Sequence, residues 1–258
     1  MFVVYALLGI LLHTWAVTRS TPFWLLALVV WMGNFYLYQE VTQIRVAVAA
    51  GLFLVGLSYL AKGEKRTYLL FSLAAACFHY SAFVLPLLTF FGSRPLTLRG
   101  RLVIGAIPLL GYLLFFGGFD PIASLPIPWI QEKLWIYERL RDSGMAGDAI
   151  NVFNIVYVMR LLVFYLLLWK YDVIKEQAPN LSLLLKVFAI SYFCFTALGA
   201  LPVMAFRYAE LFGVVEIVMV PYLALTMKPE AFGKSLVIVF AFGCMMLNVF
   251  YNELLKLS

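Results

Sequence analysis

Arg45, His79, Arg160, Arg207, Glu210 and Glu216 lie within or at the ends of long apolar runs. An ionisable residue at the centre of a membrane helix costs about 2.5–3.5 kcal/mol on insertion scales, so each is a candidate for function. Arg45 opens the stretch Gln43-Ile44-Arg45-Val46-Ala47-Val48-Ala49, and His79-Tyr80-Ser81 interrupts the next apolar run. Arg160 falls inside a later run, Arg207, Tyr208 and Glu210 join two runs, and Glu216 lies within the second of these. A guanidinium fork binds phosphate oxygens bidentately and does not deprotonate. Arginines aimed into a membrane cavity therefore suit a diphosphate. A polyprenyl diphosphate fits that geometry, with its chain in lipid and its headgroup outside.

Each residue also has a structural reading. Arg45 can snorkel to lipid headgroups. His79 can hydrogen-bond a backbone carbonyl inside the bundle. Arg207 and Glu210, at i and i+3, can form an ion pair at a helix start. Arg160 and Glu216 can neutralise each other in the core. His13 stands alone in the first run and reads as a packing residue.

Other chemistry is missing from the sequence. His13 and His79 are the only histidines, and no His, Cys and carboxylate group has metal-ligand spacing. There is no phosphate-binding glycine loop, no GxSxG elbow and no Asp-x-Asp pair. No metal or other cofactor is expected.

The elements that must hold these residues follow from composition. Of 258 residues, 64% are hydrophobic and 12% charged, with a mean hydropathy of +0.96. Ordinary soluble domains carry roughly 25% charged residues. A soluble enzyme, a disordered chain and a disulfide scaffold are excluded, which leaves an all-α polytopic integral membrane protein. The net charge of +6 does not argue for nucleic acid, because the basic residues sit singly or in small clusters between apolar runs. Cys77, Cys194 and Cys244 lie in apolar stretches and read as small core residues. Met1–Val17 lacks a basic leader and a clear cleavage site, so it reads as a first span rather than a removable signal.

About nine membrane segments are expected: Met1–Val17, Pro22–Tyr38, Ile44–Ala61, Tyr68–Phe91, Leu102–Phe119, Val152–Trp169, Leu181–Pro202, Leu211–Met227 and Ser235–Tyr251. They make one transmembrane domain, residues 1–258. The long connection at about 120–151 carries Pro121, Pro126 and Pro128, then the helix-like stretch Gln131–Arg141. It is expected to be an extracytoplasmic loop able to cover a cavity.

If every run crosses once, Lys and Arg divide almost equally between the two sides, against the positive-inside bias. The conflict centres on Tyr68–Phe91, which has Lys62, Lys65 and Arg66 before it and Arg94, Arg99 and Arg101 after it. A re-entrant broken hairpin over 68–91, turning near His79-Tyr80-Ser81, restores the bias. It also brings Arg45, His79, Arg160, Arg207 and Glu210 toward the non-cytoplasmic side. The competing reading is one long tilted helix.

The segment Ile44-Arg45-Val46-Ala47-Val48-Ala49, the basic link Lys62-Gly63-Glu64-Lys65-Arg66, and Ala75-Ala76-Cys77-Phe78-His79-Tyr80-Ser81-Ala82 together resemble the EpsG-type polysaccharide polymerases. Arg207-Tyr208-Ala209-Glu210-Leu211-Phe212 with Pro221 resembles that family's second arginine segment. Val46 stands where the family has Gln, and family members are usually longer. The resemblance implies a Wzy-like, metal-independent glycosyltransferase that polymerises O-antigen, capsule or exopolysaccharide repeat units. It would work in the bacterial cytoplasmic (inner) membrane with its site facing the periplasm or exterior. Donor and acceptor would both be oligosaccharides on undecaprenyl diphosphate, and a chain-length regulator is a further partner compatible with that role. Arg45 and Arg207, with Arg160, would hold the donor diphosphate, and His79 or Glu210 would be the catalytic base. Tyr80, Ser81, Tyr208 and Glu216 would support them. The alternative functions are a transporter or flippase of lipid-linked oligosaccharide, which also wants arginines in a membrane cavity, and a membrane acyltransferase using His79.

Overall fold

The computed structural model describes residues 2–119 and 150–251, together with Ser124, Pro128, Gln131, Glu132, Trp135, Ile136 and Arg139. The described elements are all helical. Helix α1 is Phe2–Ser20, and α2 is Trp24–Trp31, which runs on as a π-helical stretch, Met32–Thr42. Helices α3, Ile44–Ala61, and α4, Lys65–Phe78, come next, followed by a 3₁₀ arm, Tyr80–Phe90. After α5, Leu98–Phe116, the chain continues with α6, Ile155–Trp169, and the short α7, Tyr171–Ile174. Then come α8, Leu181–Ala197, α9, Pro202–Gly213, and α10, Glu216–Met219, which passes into a 3₁₀ turn, Val220–Leu225. Helix α11, Glu230–Met246, completes the bundle with a π turn, Leu247–Tyr251.

Every apolar run becomes helical, but among the described residues 5 helices are long and apolar enough to cross a membrane by themselves: Phe2–Ser20, Ile44–Ala61, Leu98–Phe116, Pro202–Leu225 and Glu230–Phe250. The shorter apolar helices are Trp24–Tyr36, Tyr80–Phe90, Ile155–Trp169 and Leu181–Ala197. The protein is a multi-pass membrane protein, with five full-length apolar helices and several shorter ones among the described residues set against the expected nine or so membrane segments.

The bundle has two ends, set about 27 Å apart by the 18 residues of α3. At one end Phe2, Arg45, His79 and Arg207 share a cleft. At the other, Asn180 Nδ2 and Tyr222 Oη both donate to the Ser20 carbonyl, at 2.9 and 3.1 Å. Ser20, Ala61, Lys62, Asn180 and Tyr222 line a hollow of about 520 Å³ there.

The Tyr68–Phe91 run folds back on itself. A continuous helix would put Tyr68 and Leu85 roughly 25 Å apart, yet the Tyr68 hydroxyl donates to the Leu85 carbonyl at 2.6 Å. The reversal is at His79, whose backbone is extended at φ −147 and ψ 127. The run returns to the end from which it left, where Ser93 Oγ donates to the Ala61 carbonyl at 2.6 Å. The chain then passes over α8 as a strap, accepting hydrogen bonds from Lys186 Nζ at the Gly92 carbonyl and from Ser182 Oγ at the Arg94 carbonyl, both at 2.6 Å. Gly63, with φ +85, makes the tight left-handed exit from α3 that starts this excursion. The second arm is a 3₁₀ helix containing Pro86 rather than an α-helix.

Helix α3 packs between α1 and α4. Its small residues Ala47, Ala49, Ala50 and Gly51 are buried, which allows the close helix contact on which membrane packing depends. Helix α8 is sandwiched between α5 and α9, and α11 lies against α2 and the stretch Met32–Thr42. His13 has the expected packing role: its Nδ1 is 2.9 Å from the Gly9 carbonyl and its ring stacks on Trp31.

Two expectations are corrected, and a third falls outside the described residues. The run expected to start at Leu211 starts at Pro202, so Arg207, Tyr208 and Glu210 are helical residues, not a connection. Pro202 sits in the first turn, where its missing N–H costs nothing. Cys77 is exposed rather than part of the core, whereas Cys244 is buried and Cys194 partly so. The proposed loop at about 120–151 lies almost wholly outside the described residues, apart from the few named above.

Candidate functional site

The cleft at the Phe2 end has a volume of about 530 Å³ and is lined by Phe2, Gln43, Ile44, Arg45, Val46, Phe78, His79, Tyr80 and Arg207. Three elements bring its arginines, histidine and tyrosine. The start of α3 supplies Arg45, the tip of the hairpin supplies His79 and Tyr80, and the second turn of α9 supplies Arg207. Among the described lining residues there is no acidic side chain, and the cleft presents two guanidinium groups to whatever enters.

His79 is oriented by its own backbone reversal. The Ser81 N–H donates to His79 Nδ1 at 3.3 Å, and Ser81 Oγ lies 2.6 Å from the same nitrogen. A backbone N–H can only donate, so Nδ1 carries the lone pair and the ring proton of the neutral imidazole sits on Nε2. Nε2 is thus the ring nitrogen left for the cleft, as an N–H donor. Tyr80 stacks on the imidazole with centroids 4.8 Å apart, and the Arg207 guanidinium lies 5.2 Å from the Tyr80 ring centre. Tyr80 therefore ties Arg207 to His79 across two elements.

Arg160, Glu210 and Glu216 form a second, buried cluster beside the cleft. Arg160 Nε donates to Glu216 Oε1 at 2.5 Å, and Nη1 donates to Glu210 Oε1 at 3.2 Å. The same Glu210 oxygen accepts from the Tyr157 hydroxyl at 2.5 Å. Glu216 Oε2 accepts from Asn34 Nδ2 at 3.1 Å, and Asn34 Oδ1 in turn accepts from Asn248 at 3.2 Å. Arg160 is 2% exposed and Glu216 1%. An ionised trio at this depth is tolerated because each carboxylate faces the Arg160 guanidinium and both Glu216 oxygens accept from donors.

The structure thus gathers Arg45, His79, Tyr80 and Arg207 in one cleft and ties Ser81 to it. Arg160, Glu210 and Glu216 go to the buried cluster, where the neutralisation of Arg160 by Glu216 is realised. No ion pair joins Arg207 to Glu210 among the described residues. Tyr208 is half-buried in α9 and does not line the cleft. Asn34, Tyr157, Gly213 and Asn248 were not anticipated from sequence. Gly213 has a specific reason to be glycine: a Cβ there would collide with Arg160 Nη2. A glycine and two asparagines in apolar helices carry no motif, so only their charged neighbours could have drawn attention to them.

Fold and site together define a multi-pass helical membrane protein with a basic cleft at one end of its bundle. The model of the EpsG family matches residues 1–257, and the chain belongs to that family, the Wzy-like polymerase type. It is therefore of the polysaccharide polymerase class of membrane proteins. No curated protein and no solved structure matches this chain.

Proposed function

We propose that the protein is a glycosyltransferase that lengthens a polysaccharide by transferring a glycan from undecaprenyl diphosphate to a lipid-linked repeat unit. The observation that carries this reading is the convergence of Arg45, Arg207 and His79 on one cleft. Two guanidinium groups and a neutral imidazole N–H form a donor set for a diphosphate. An acceptor-sugar hydroxyl attacks the anomeric carbon of the donor. The bond from that carbon to the diphosphate oxygen breaks, and the lipid diphosphate leaves with the electron pair. The hydroxyl proton passes to a diphosphate oxygen. Arg45, Arg207 and His79 Nε2–H stabilise the charge that grows on the leaving group, the kind of term that usually contributes most to catalysis.

Orientation is part of the proposal. With the hairpin re-entrant, Lys62, Lys65, Arg66, Arg94, Arg99 and Arg101 all lie at the end opposite the cleft. The positive-inside bias then makes that end cytoplasmic and turns the cleft to the outer face of the bacterial inner membrane. The test is incubation of the purified protein in lipid nanodiscs with its lipid-linked repeat unit. A ladder of oligomers without added nucleotide is expected. Unchanged repeat unit, with the protein folded, would overturn the reading.

A further inference from the structure

We infer that Glu210 and Arg160 are positioning residues for Arg207, setting the rotation of α9 that presents its guanidinium to the cleft; this rests on the proposed diphosphate reading. Arg207 and Glu210 lie three residues apart on α9, so they project about 60° apart around the helix. One faces the cleft and the other the buried cluster, and neither can turn without the other.

The Glu210 side is tightly held. Its Oε1 accepts from Tyr157 and Arg160, both on α6, at 2.5 and 3.2 Å. Tyr157 stacks on Phe195 of α8 with ring centroids 3.5 Å apart. Arg160 is fixed in turn by Glu216, and Glu216 is held to the stretch Met32–Thr42 through Asn34. Gly213, one turn beyond Glu210 on the same helix, lets α9 close directly onto Arg160, and Ser191 Oγ of α8 bonds the Ala209 carbonyl at 2.6 Å. Helix α9 is therefore clamped on its inner face by α6 and α8, while its cleft face carries one long, half-exposed arginine.

The sensitivity follows from helix geometry. At the roughly 6 Å radius of a helix surface, a 20° rotation moves a side-chain origin by about 2 Å. A misplacement of about 1 Å can cost on the order of 10²-fold in rate. Glu210 does not line the cleft and its Oε1 is committed to two donors, so it acts on the ligand through Arg207 rather than by touching it.

The test uses the full chain in nanodiscs with farnesyl diphosphate as the probe, affinity read by tryptophan fluorescence and folding by thermal unfolding. Arg207→Ala and Glu210→Ala should each weaken binding about 10-fold or more. The double variant should bind no more weakly than Arg207→Ala alone, because Glu210 has nothing left to position. Glu210→Gln, which still accepts from Tyr157, should recover part of the loss. If Glu210→Ala fails to fold, Glu210→Gln and Tyr157→Phe take its place in the same cycle with Arg207→Ala. Multiplicative losses in the double variant, or native affinity in folded Glu210 variants while Arg207→Ala binds poorly, would overturn the positioning role alone. Native affinity in Arg207→Ala would overturn the diphosphate reading and this inference with it.

Discussion

His79 offers the sharpest separation of two chemistries. Its Nδ1 accepts from the Ser81 N–H, so the ring enters the cleft as an Nε2–H donor between Arg45 and Arg207. Removing a hydrogen bond to a charged group costs about 1.5–3 kcal/mol, which is a factor of roughly 10 to 150. His79→Ala should therefore slow oligomer formation by about that factor and weaken farnesyl diphosphate binding in step. Glutamine can place an amide N–H near the position of Nε2 but cannot accept and hold a proton. If donation is the role, His79→Gln should keep its rate within about 10-fold of the native protein. If the imidazole were instead the base that takes the acceptor proton, both variants would lose about 10²–10⁴ in rate while diphosphate affinity stayed native. The assay is the initial rate of ladder growth at saturating repeat unit, run beside equilibrium binding of farnesyl diphosphate. A glutamine variant as slow as the alanine variant, with native affinity, would refute the donor argument.

Arg45→Lys and Arg207→Lys should each weaken farnesyl diphosphate binding by about 10-fold or more without lowering the unfolding temperature, because lysine keeps the charge and loses the fork; near-native affinity in both would remove the bidentate argument. In a background free of Cys77, Cys194 and Cys244, cysteines at Glu64 and Ser93 should label from the same side of the membrane and a cysteine at Phe153 from the other. Labelling of Glu64 and Ser93 from opposite sides would contradict the hairpin that the Ser93–Ala61 hydrogen bond closes. Gly213→Ala should destabilise the protein by about 1–3 kcal/mol, seen as a lower unfolding temperature, because the added methyl meets Arg160 Nη2.

Much of this molecule was legible before any tertiary contact was known. Composition excludes a soluble fold, because a chain with so few charged side chains cannot cover its surface for water. The Lys and Arg clusters around Tyr68–Phe91 point to a reversal, because charge bias acts on loops and is independent of packing. His79-Tyr80-Ser81 marks its position, since polar residues break an apolar run only where something satisfies them. Tertiary structure alone decided the partners. Arg45, His79 and Arg207 meet because a hairpin and two helix ends converge, whereas Arg160, equally conspicuous in sequence, is drawn inward by two carboxylates on the following helices. The His79 tautomer depends on a backbone N–H that no side-chain pattern encodes. Arg207 and Glu210 read as a ready-made i, i+3 pair, yet stronger local fields exist elsewhere: Glu210 finds a buried guanidinium and a phenol, and Arg207 is left to the Tyr80 ring and the open cleft. Spacing along a helix says which side chains can meet, and the packing of other helices decides which of them do.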